Sequence, residues 1–360
     1  MNDNSQSPPP EVPGLPPRPA AGPLPGIRTL KPRRSKRAWT ITFAMVAVWA
    51  ILLGLIIANR QGISDWWRMR GYHPASAVSQ LATEDTMTPY AQHLFYLNKP
   101  ELLSNITSFR QHCPENKDTV VLGCYHPGEN GIYIYNVQDP SLKGVAQVTA
   151  AHETLHAIYA RLSPEERANV NKMLNDYYKN GLKDPQVISE IKLYQQTEPG
   201  AVLDEMHSTF GTEIANLPAP LEAYYKKYFS NRAAIVAYSN HYQDEFTARQ
   251  NAIAQDDQQL AAMKKQIDSQ EAALESQQSS IMALKKQLDN ELSSGQTAAY
   301  NAAVPTFNSQ VSSYNNGVGA LKQAIAQYNQ LVDARNNIAK ALTTLDKALD
   351  TRLSQQNTQN

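Results

Sequence analysis

The longest apolar stretch of the chain runs from Ala38 to Ala58, with the sequence AWTITFAMVAVWAILLGLIIA. None of these side chains is charged. At about 1.5 Å per residue, a helix of this length reaches about 31 Å, and the hydrocarbon core of a bilayer is about 30 Å thick. The pattern therefore predicts a transmembrane helix over residues 38–58.

A second pattern begins near residue 236, where apolar residues recur at every seventh position: Phe246, Ile253, Leu260, Ile267, Leu274, Ile281 and Leu288. After SSGQ (293–296), a series from Tyr300 to Val332 alternates steps of four and three. This spacing is typical of coiled coils, so we predict an antiparallel coiled-coil hairpin over residues 236–354. A parallel homodimer is the alternative, and Pro305 is expected to kink or interrupt the second helix near its start.

Between these patterns, residues 85–235 mix short apolar runs with turn signals and amphipathic segments. The runs TVVLGCYH (119–126) and GIYIYNV (131–137) flank a turn-like PGEN, which predicts a β-hairpin. The following VAQVTAAHETLHAIYARL has helical periodicity. Ser163, with proline next and glutamate three residues later, predicts the capped start of another helix. We therefore predict an α+β domain.

Composition sets the remaining boundaries. Residues 1–37 hold ten of the 22 prolines and few large apolar side chains, so we expect a disordered cytoplasmic tail. Residues 59–84 are interpreted as a juxtamembrane linker, and residues 355–360 as a disordered C-terminus.

The charges around the apolar stretch predict its orientation. Six basic residues lie in the fifteen positions before it and three in the fifteen after it, which favours a cytoplasmic N-terminus and a signal anchor in the cytoplasmic membrane. Everything after about residue 59 is then extracytoplasmic. Trp39 and the pair Trp66 and Trp67 lie near the two expected membrane interfaces. Over the whole chain, 33 basic residues balance 33 acidic ones, so no nucleic-acid partner is expected.

The two cysteines, Cys113 and Cys124, both fall in the extracytoplasmic part. In an oxidising compartment they are expected to form one disulfide worth about 2 to 3 kcal/mol. Their spacing lacks the companion ligands of a zinc knuckle.

Residues 152–156 read HETLH. Residues four apart share one helical face, so His152 and His156 can hold one metal ion. Glu153 lies about 100° around the helix, beside such a metal, where it can take a proton from water. Two structural histidines are the alternative interpretation. A metzincin is excluded, because Tyr159 and Leu162 stand where that class has glycine and histidine.

A carboxylate on a second helix, within EPGAVLDEMHSTFGTEI (198–214), would complete a His2Glu zinc set. The motifs TAAHETLH, DEMHSTFGTE and LEAYYKKYFSNR resemble the gluzincin branch of zincin metallopeptidases. More narrowly, they resemble bacterial membrane-anchored predicted zinc proteases of undefined substrate. The resemblance covers about residues 85–235. It implies Zn²⁺ held by His152, His156 and Glu205, with Glu153 as general base and GIYIYNV as an edge strand beside the active-site helix.

Two departures from the gluzincin pattern leave alternatives open. Many gluzincins have asparagine before the third ligand, and an aspartate four residues after it that orients a ligand histidine. Here those positions are Asp204 and Thr209, so the orienting partner is undetermined. Glu213 and Asp204 remain rival ligands. His207 is expected to stabilise the oxyanion or bind the metal, with a structural role as the alternative.

Together the patterns predict a membrane-anchored zinc metallopeptidase that hydrolyses peptide bonds of a protein or peptide substrate outside the cytoplasmic membrane. The coiled-coil hairpin is expected to act as a spacer, a docking arm or an element of homo-oligomerisation. One alternative is a non-enzymatic envelope or surface interaction protein with a zincin-like domain. Another is a peptidoglycan-directed or other amide hydrolase with the same metal chemistry.

Overall fold

The computed structural model describes residue 14 and residues 36–114, 120–128 and 131–352. Most of the predicted tail 1–37 and all of the predicted C-terminal segment 355–360 lie outside the described residues. The chain divides into two compact units, Met1–Ser64 and Asp65–Asn360. The elements are α1 (Lys36–Ala58), α2 (Arg60–Met69), α3 (Ser76–Glu84), α4 (Pro89–Leu97), β1 (Glu101–Leu103), α5 (Ile106–His112), β2 (Gly123–His126), β3 (Gly131–Tyr135), α6 (Val145–Arg161), α7 (Pro164–Asn180), α8 (Pro185–Thr197), α9 (Val202–Thr212), α10 (Ala219–Tyr225), α11 (Arg232–Ser293) and α12 (Thr297–Leu349).

Helix α1 of the first unit contains the predicted transmembrane stretch 38–58. Its large apolar side chains are exposed, from 44% for Leu52 to 67% for Trp49. Among the described residues, no single helix is long and apolar enough to cross a membrane. The pair Ile41–Ile57 and Arg60–Met69, bent by 60°, meets that requirement together, by length and composition. The stretch is therefore helical, and its insertion in a membrane stays a prediction.

The second unit holds a three-stranded sheet in the order β1, β3, β2. Strands β2 and β3 form the predicted hairpin, with Cys124 opposite Tyr133. The expectation that GIYIYNV is an edge strand is wrong. Strand β1, which the sequence pattern did not reveal, pairs in parallel with β3 and makes β3 the central strand. The edge strand beside α6 is β2, because a Cβ added at Gly123 would lie 2.4 Å from Thr149 Cγ2 and 2.9 Å from Glu153 Oε1.

The predicted disulfide between Cys113 and Cys124 is confirmed. Cys113 directly follows α5, and Cys124 lies in β2, so the bond joins the end of a helix to the edge strand. A loop of this length contributes about 2 to 3 kcal/mol by restricting the unfolded chain.

Helix α6 lies at the centre of the core. Its side chains Ala150, Ala151, Leu155 and Ala157 are fully buried. The helix begins after Gly144, whose φ of 106° is in the left-handed region, and a Cβ there would lie 2.9 Å from Tyr238 Cβ. Glycine is the residue that meets both conditions at no steric cost.

Helix α3 contradicts the predicted start of the domain, and helix α7 confirms the predicted capping box. Helix α3 lies inside the predicted linker 59–84, yet its Val78, Leu81 and Ala82 belong to the main core. Helix α7 begins with the predicted capping box, in which Ser163 and Glu166 satisfy each other's backbone N–H groups. The packed domain therefore begins before the boundary at residue 85.

Helices α11 and α12 pair within one chain. Leu274 is close to Gly317, and Arg335 forms an ion pair with Asp257, so positions rise along one helix as they fall along the other. This is the antiparallel hairpin predicted from the heptads. The expected interruption at Pro305 is absent, since α12 continues through this residue from Thr297.

The C-terminal end of the α11–α12 hairpin, which we call the arm, packs against the domain close to the sheet. Leu345 of α12 packs with Leu142 and Val145 at the start of α6. The Thr351 hydroxyl donates to the Val121 carbonyl at 2.8 Å and accepts from the Val121 N–H at 3.2 Å. Because Val121 lies two residues before β2, the end of the arm holds the chain where it enters the edge strand.

Candidate metal centre

Helices α6 and α9 bring the three predicted metal ligands together. Gly211 of α9 lacks a side chain, and a Cβ there would lie 2.4 Å from Leu155 Cδ1, so glycine allows the two helices to pack closely. One donor atom each from His152, His156 and Glu205 lies within 4.8 Å of the others. Their side chains are 14 to 20% exposed, so the group is enclosed but reachable from solvent.

The distances within this group suit a zinc ion. Nε2 of His152 is 3.6 Å from Glu205 Oε2, and Nε2 of His156 is 3.6 Å from Glu205 Oε1. Two ligands at about 2.1 Å from a tetrahedral ion lie about 3.4 Å apart. Two imidazole nitrogens and one carboxylate are also a common donor set of catalytic zinc, which leaves a further position open.

Asp204 is the carboxylate that contacts a predicted ligand histidine, a partner that the sequence left undetermined. Its Oδ1 lies 2.8 Å from Nδ1 of His156, which leaves Nε2 of that ring turned towards Glu205. A carboxylate on the outer nitrogen fixes the tautomer and orientation of a ligand histidine. Thr209, at the position where many gluzincins have this aspartate, is fully buried and its hydroxyl makes no hydrogen bond to any described residue.

Glu153 points towards the edge strand and is only 7% exposed. Its carboxylate packs on the backbone of Gly123. Burial raises the pKa of Glu153, and the neighbouring His156 and His152 partly oppose this effect. A carboxylate whose pKa is raised above its usual value holds a proton more readily, as a general base that must also return the proton requires.

The electrostatics of the group favour a bound cation. Burial lowers the pKa of His152, but the carboxylates of Glu205, Glu153 and Glu213 outweigh it and raise the pKa to about 9. Burial would raise the pKa of Glu205, yet the two histidines and the Tyr194 hydroxyl hold it below its usual value. Without a metal, protons on the histidines supply the positive charge, so metal binding must release protons.

The rival ligands have other partners. Asp204 is engaged with His156, and Glu213 lies at the C-terminal end of α9, where Gln243 donates to its Oε2 at 3.4 Å. Burial and the nearby Glu190 carboxylate raise the pKa of Glu213 to about 7. The geometry supports Glu205 as the third ligand.

His207 lies in a closed aromatic cluster. It is fully buried, its Nε2 is 2.9 Å from the Tyr224 hydroxyl, and its ring contacts those of Tyr159 and Tyr225. Burial and the two ligand histidines lower its pKa to about 3, so the ring is neutral. These contacts support the structural role, and neither the oxyanion role nor the ligand role gains support from them.

Sequence reasoning missed two residues of α8 that face the group. The Tyr194 hydroxyl interacts with the Glu205 carboxylate. Burial raises the pKa of Glu190, and the charges of His152 and Glu205 also act on this carboxyl. Their spacing of four residues places them on one helical face. That spacing is equally common in ordinary amphipathic helices, so only the packing of α8 identifies them.

In a second group of possible ligand atoms, Cys113, Cys124 and His126, the two sulfur atoms are bonded to each other in the disulfide.

Searches of family models, curated proteins and solved structures found no match to this chain. The interpretation of the metal centre therefore rests on its residues and geometry.

Proposed function

We propose that the chain is a zinc-dependent metallopeptidase of the gluzincin type, anchored in the cytoplasmic membrane with its metal centre outside. The observation that carries the proposal is the convergence of His152, His156 and Glu205, with Glu153 on the same helix as the histidines. Three ligands with one open position are typical of catalytic zinc, whereas structural zinc is held by four protein ligands.

The chain's own residues have separable roles in this reaction. When bound, zinc supplies Lewis acidity that polarises a carbonyl and lowers the pKa of water. Glu153 takes the proton from the attacking water and passes it to the amide nitrogen as the C–N bond breaks. Asp204 keeps His156 in one tautomer. Among the described strands, β2 is the edge strand that lies beside α6, so an extended peptide can add along it as a further strand.

The extracytoplasmic location has two supports. The uncharged stretch 38–58 is helical and is preceded by more basic residues than follow it. The disulfide between Cys113 and Cys124 is typical of proteins in an oxidising compartment.

The test is to measure zinc per mole of purified full-length protein and the cleavage of a casein-derived peptide library. Glu153→Gln is expected to keep the zinc and to lose nearly all cleavage, because a glutamine cannot accept the proton. Glu165→Gln is the matched control, since Glu165 is an exposed residue of α7 outside the metal centre. Metal-free protein, or equal cleavage by the Glu153 variant, would refute the enzyme.

The arm supports a second candidate, a non-enzymatic interaction protein. Helix α11 has 62 residues, or about 93 Å. Met282 and Leu292, near the turn at its far end, are 61% and 60% exposed. If this candidate is correct, a partner binds the arm and the Glu153 variant has wild-type function in the cell. An amide hydrolase acting on peptidoglycan has the same metal chemistry, and release of stem peptides or hydrolysis of peptide cross-links in purified sacculi distinguishes it.

A further inference from the structure

An exposed aromatic and cationic surface lies at the end of α2. Trp66 and Trp67 are 59% and 62% exposed, and their rings meet edge to face at 5.3 Å. The guanidinium of Arg70 lies 5.4 Å from the first ring and 5.6 Å from the second. We call Trp66, Trp67 and Arg70 the tryptophan surface. Two adjacent exposed tryptophans are costly in water and mark a binding surface.

The opposite side of the same turn is fixed to the core. Asp65 is 8% exposed and receives two hydrogen bonds from Arg161, at 3.2 and 2.6 Å. Arg161 is the last residue of α6, the helix that carries both ligand histidines. A paired Arg–carboxylate contact of this kind holds two elements in one orientation. The tryptophan surface is therefore attached to the metal-binding helix and is not a loose tail.

The chemistry of the surface fits lipid headgroups. Tryptophan concentrates at the membrane–water interface, where the ring is buried and the N–H stays hydrated. Arginine side chains extend from that depth to anionic phosphates. The only carboxylate in the segment 65–70 is Asp65, and Arg161 neutralises it. In sequence, the surface follows the uncharged stretch 38–58 by eight residues.

We propose that the tryptophan surface binds the headgroup region of an anionic membrane and holds the metal centre beside it. His156 lies five residues before Arg161, which is about 7.5 Å along the helix axis. His152 lies nine residues before Arg161, or about 13.5 Å, so both predicted ligand histidines lie within about 14 Å, along the helix axis, of the residue that tethers Asp65. Resting on the proposed peptidase function, we infer that the substrates are membrane-proximal segments of proteins held in the same membrane.

Binding to lipid is tested on the full chain in nanodiscs of phosphatidylcholine and phosphatidylglycerol. The chain has four tryptophans, so Trp39→Phe with Trp49→Phe leaves only Trp66 and Trp67 to emit. Lipids brominated near the headgroup are expected to quench most of this emission, and aqueous iodide little of it. Emission that brominated lipid leaves unchanged overturns the proposal, and protection from both quenchers identifies a protein partner instead.

The position of the metal centre is tested by energy transfer. Both cysteines are in the disulfide, so a Cys introduced at exposed Gln195, next to Tyr194, is the only labelling site. Transfer from a donor there to headgroup-labelled lipid is expected to fall in Trp66→Ser/Trp67→Ser/Arg70→Ser, which leaves residues 38–58 intact. Equal transfer in this variant overturns the proposal.

The substrate class is tested with one fluorogenic peptide, either free or coupled to phosphatidylethanolamine in the same nanodisc. The coupled form is expected to be cleaved several-fold faster at equal concentration, and the triple-serine variant is expected to lose this preference. Equal rates overturn the substrate inference and leave the peptidase standing. Cleavage of neither form, with quenching and transfer as expected, refutes the peptidase and leaves membrane binding standing.

Discussion

Removing the carboxylate of Asp204 should weaken zinc binding without touching a ligand. Asp204 Oδ1 lies 2.8 Å from His156 Nδ1, and within the described part of the chain this is its one side-chain hydrogen bond. In Asp204→Ala the His156 ring is free to rotate and to exchange tautomers, so its Nε2 is presented to the metal only part of the time. In Asp204→Asn an amide oxygen can still accept the hydrogen bond, but the negative charge is gone.

The magnitude follows from the hydrogen bond and its exposure. A hydrogen bond to a charged group contributes about 1.5 to 3 kcal/mol, and loss of such an outer partner typically lowers metal affinity about 10- to 100-fold. The Asp204 side chain is 33% exposed, so solvent screens part of its charge and the lower end applies. We expect Asp204→Ala to bind zinc about tenfold more weakly, or about 1.4 kcal/mol. Asp204→Asn should fall between this variant and the wild type.

The assay is competition for zinc with a chromophoric chelator at pH 7, supported by the rise in melting temperature on adding zinc. Thr209→Val is the matched control, because Thr209 is buried on the same helix and its hydroxyl has no hydrogen-bond partner among the described residues. The control should bind zinc as the wild type does. Unchanged affinity in Asp204→Ala, or an equal loss in Thr209→Val, would show that Asp204 does not orient His156.

Three further substitutions test the scaffold around the centre. Asp85 is fully buried, and its oxygens make no hydrogen bond to described residues. Burial raises the pKa of Asp85 well above its usual value, so the folded protein favours the protonated carboxyl. The stability that this protonated form contributes is lost as pH rises through the folded pKa. The free energy of unfolding of Asp85→Asn in urea should therefore exceed that of the wild type by about 1 to 3 kcal/mol at pH 8 and by little at pH 4. The control Glu84→Gln should show no such gain, because the Glu84 carboxylate is hydrogen-bonded. Gly123→Ala must displace β2 from α6 and should lower both the melting temperature and the rate of cleavage. Gly128→Ala, with nothing within 4 Å of the added Cβ, should change neither. Equal effects of the two substitutions would contradict the close packing at Gly123. Thr351→Val loses both hydrogen bonds to Val121 and should speed amide hydrogen exchange in β2. Thr351→Ser keeps the hydroxyl and should keep this exchange slow. Identical exchange rates in the two variants would mean that the arm does not hold the edge strand.

Local spacing in the sequence was sufficient for several elements. The helical period alone places His152 and His156 on one face and Glu153 beside them. The capping box at Ser163, the hairpin of β2 and β3, and the heptads of α11 and α12 depend on neighbouring residues or on short repeats. Each of these features is decided by contacts within a few residues or along one repeat, which a sequence displays directly.

Pairing across the fold was decided only by the tertiary structure. Strand β1 has three residues and no distinctive pattern, yet by pairing with β3 it moves the free edge to β2. Pro305 removes one backbone donor, and α12 nevertheless continues as a helix beside α11. Asp204 and Glu205 differ by about 100° on α9, so the rotation of α9 against α6 decides which of them can reach the proposed metal position and which reaches Nδ1 of His156. That rotation depends on Gly211 against Leu155, residues 56 positions apart, and no local pattern encodes it.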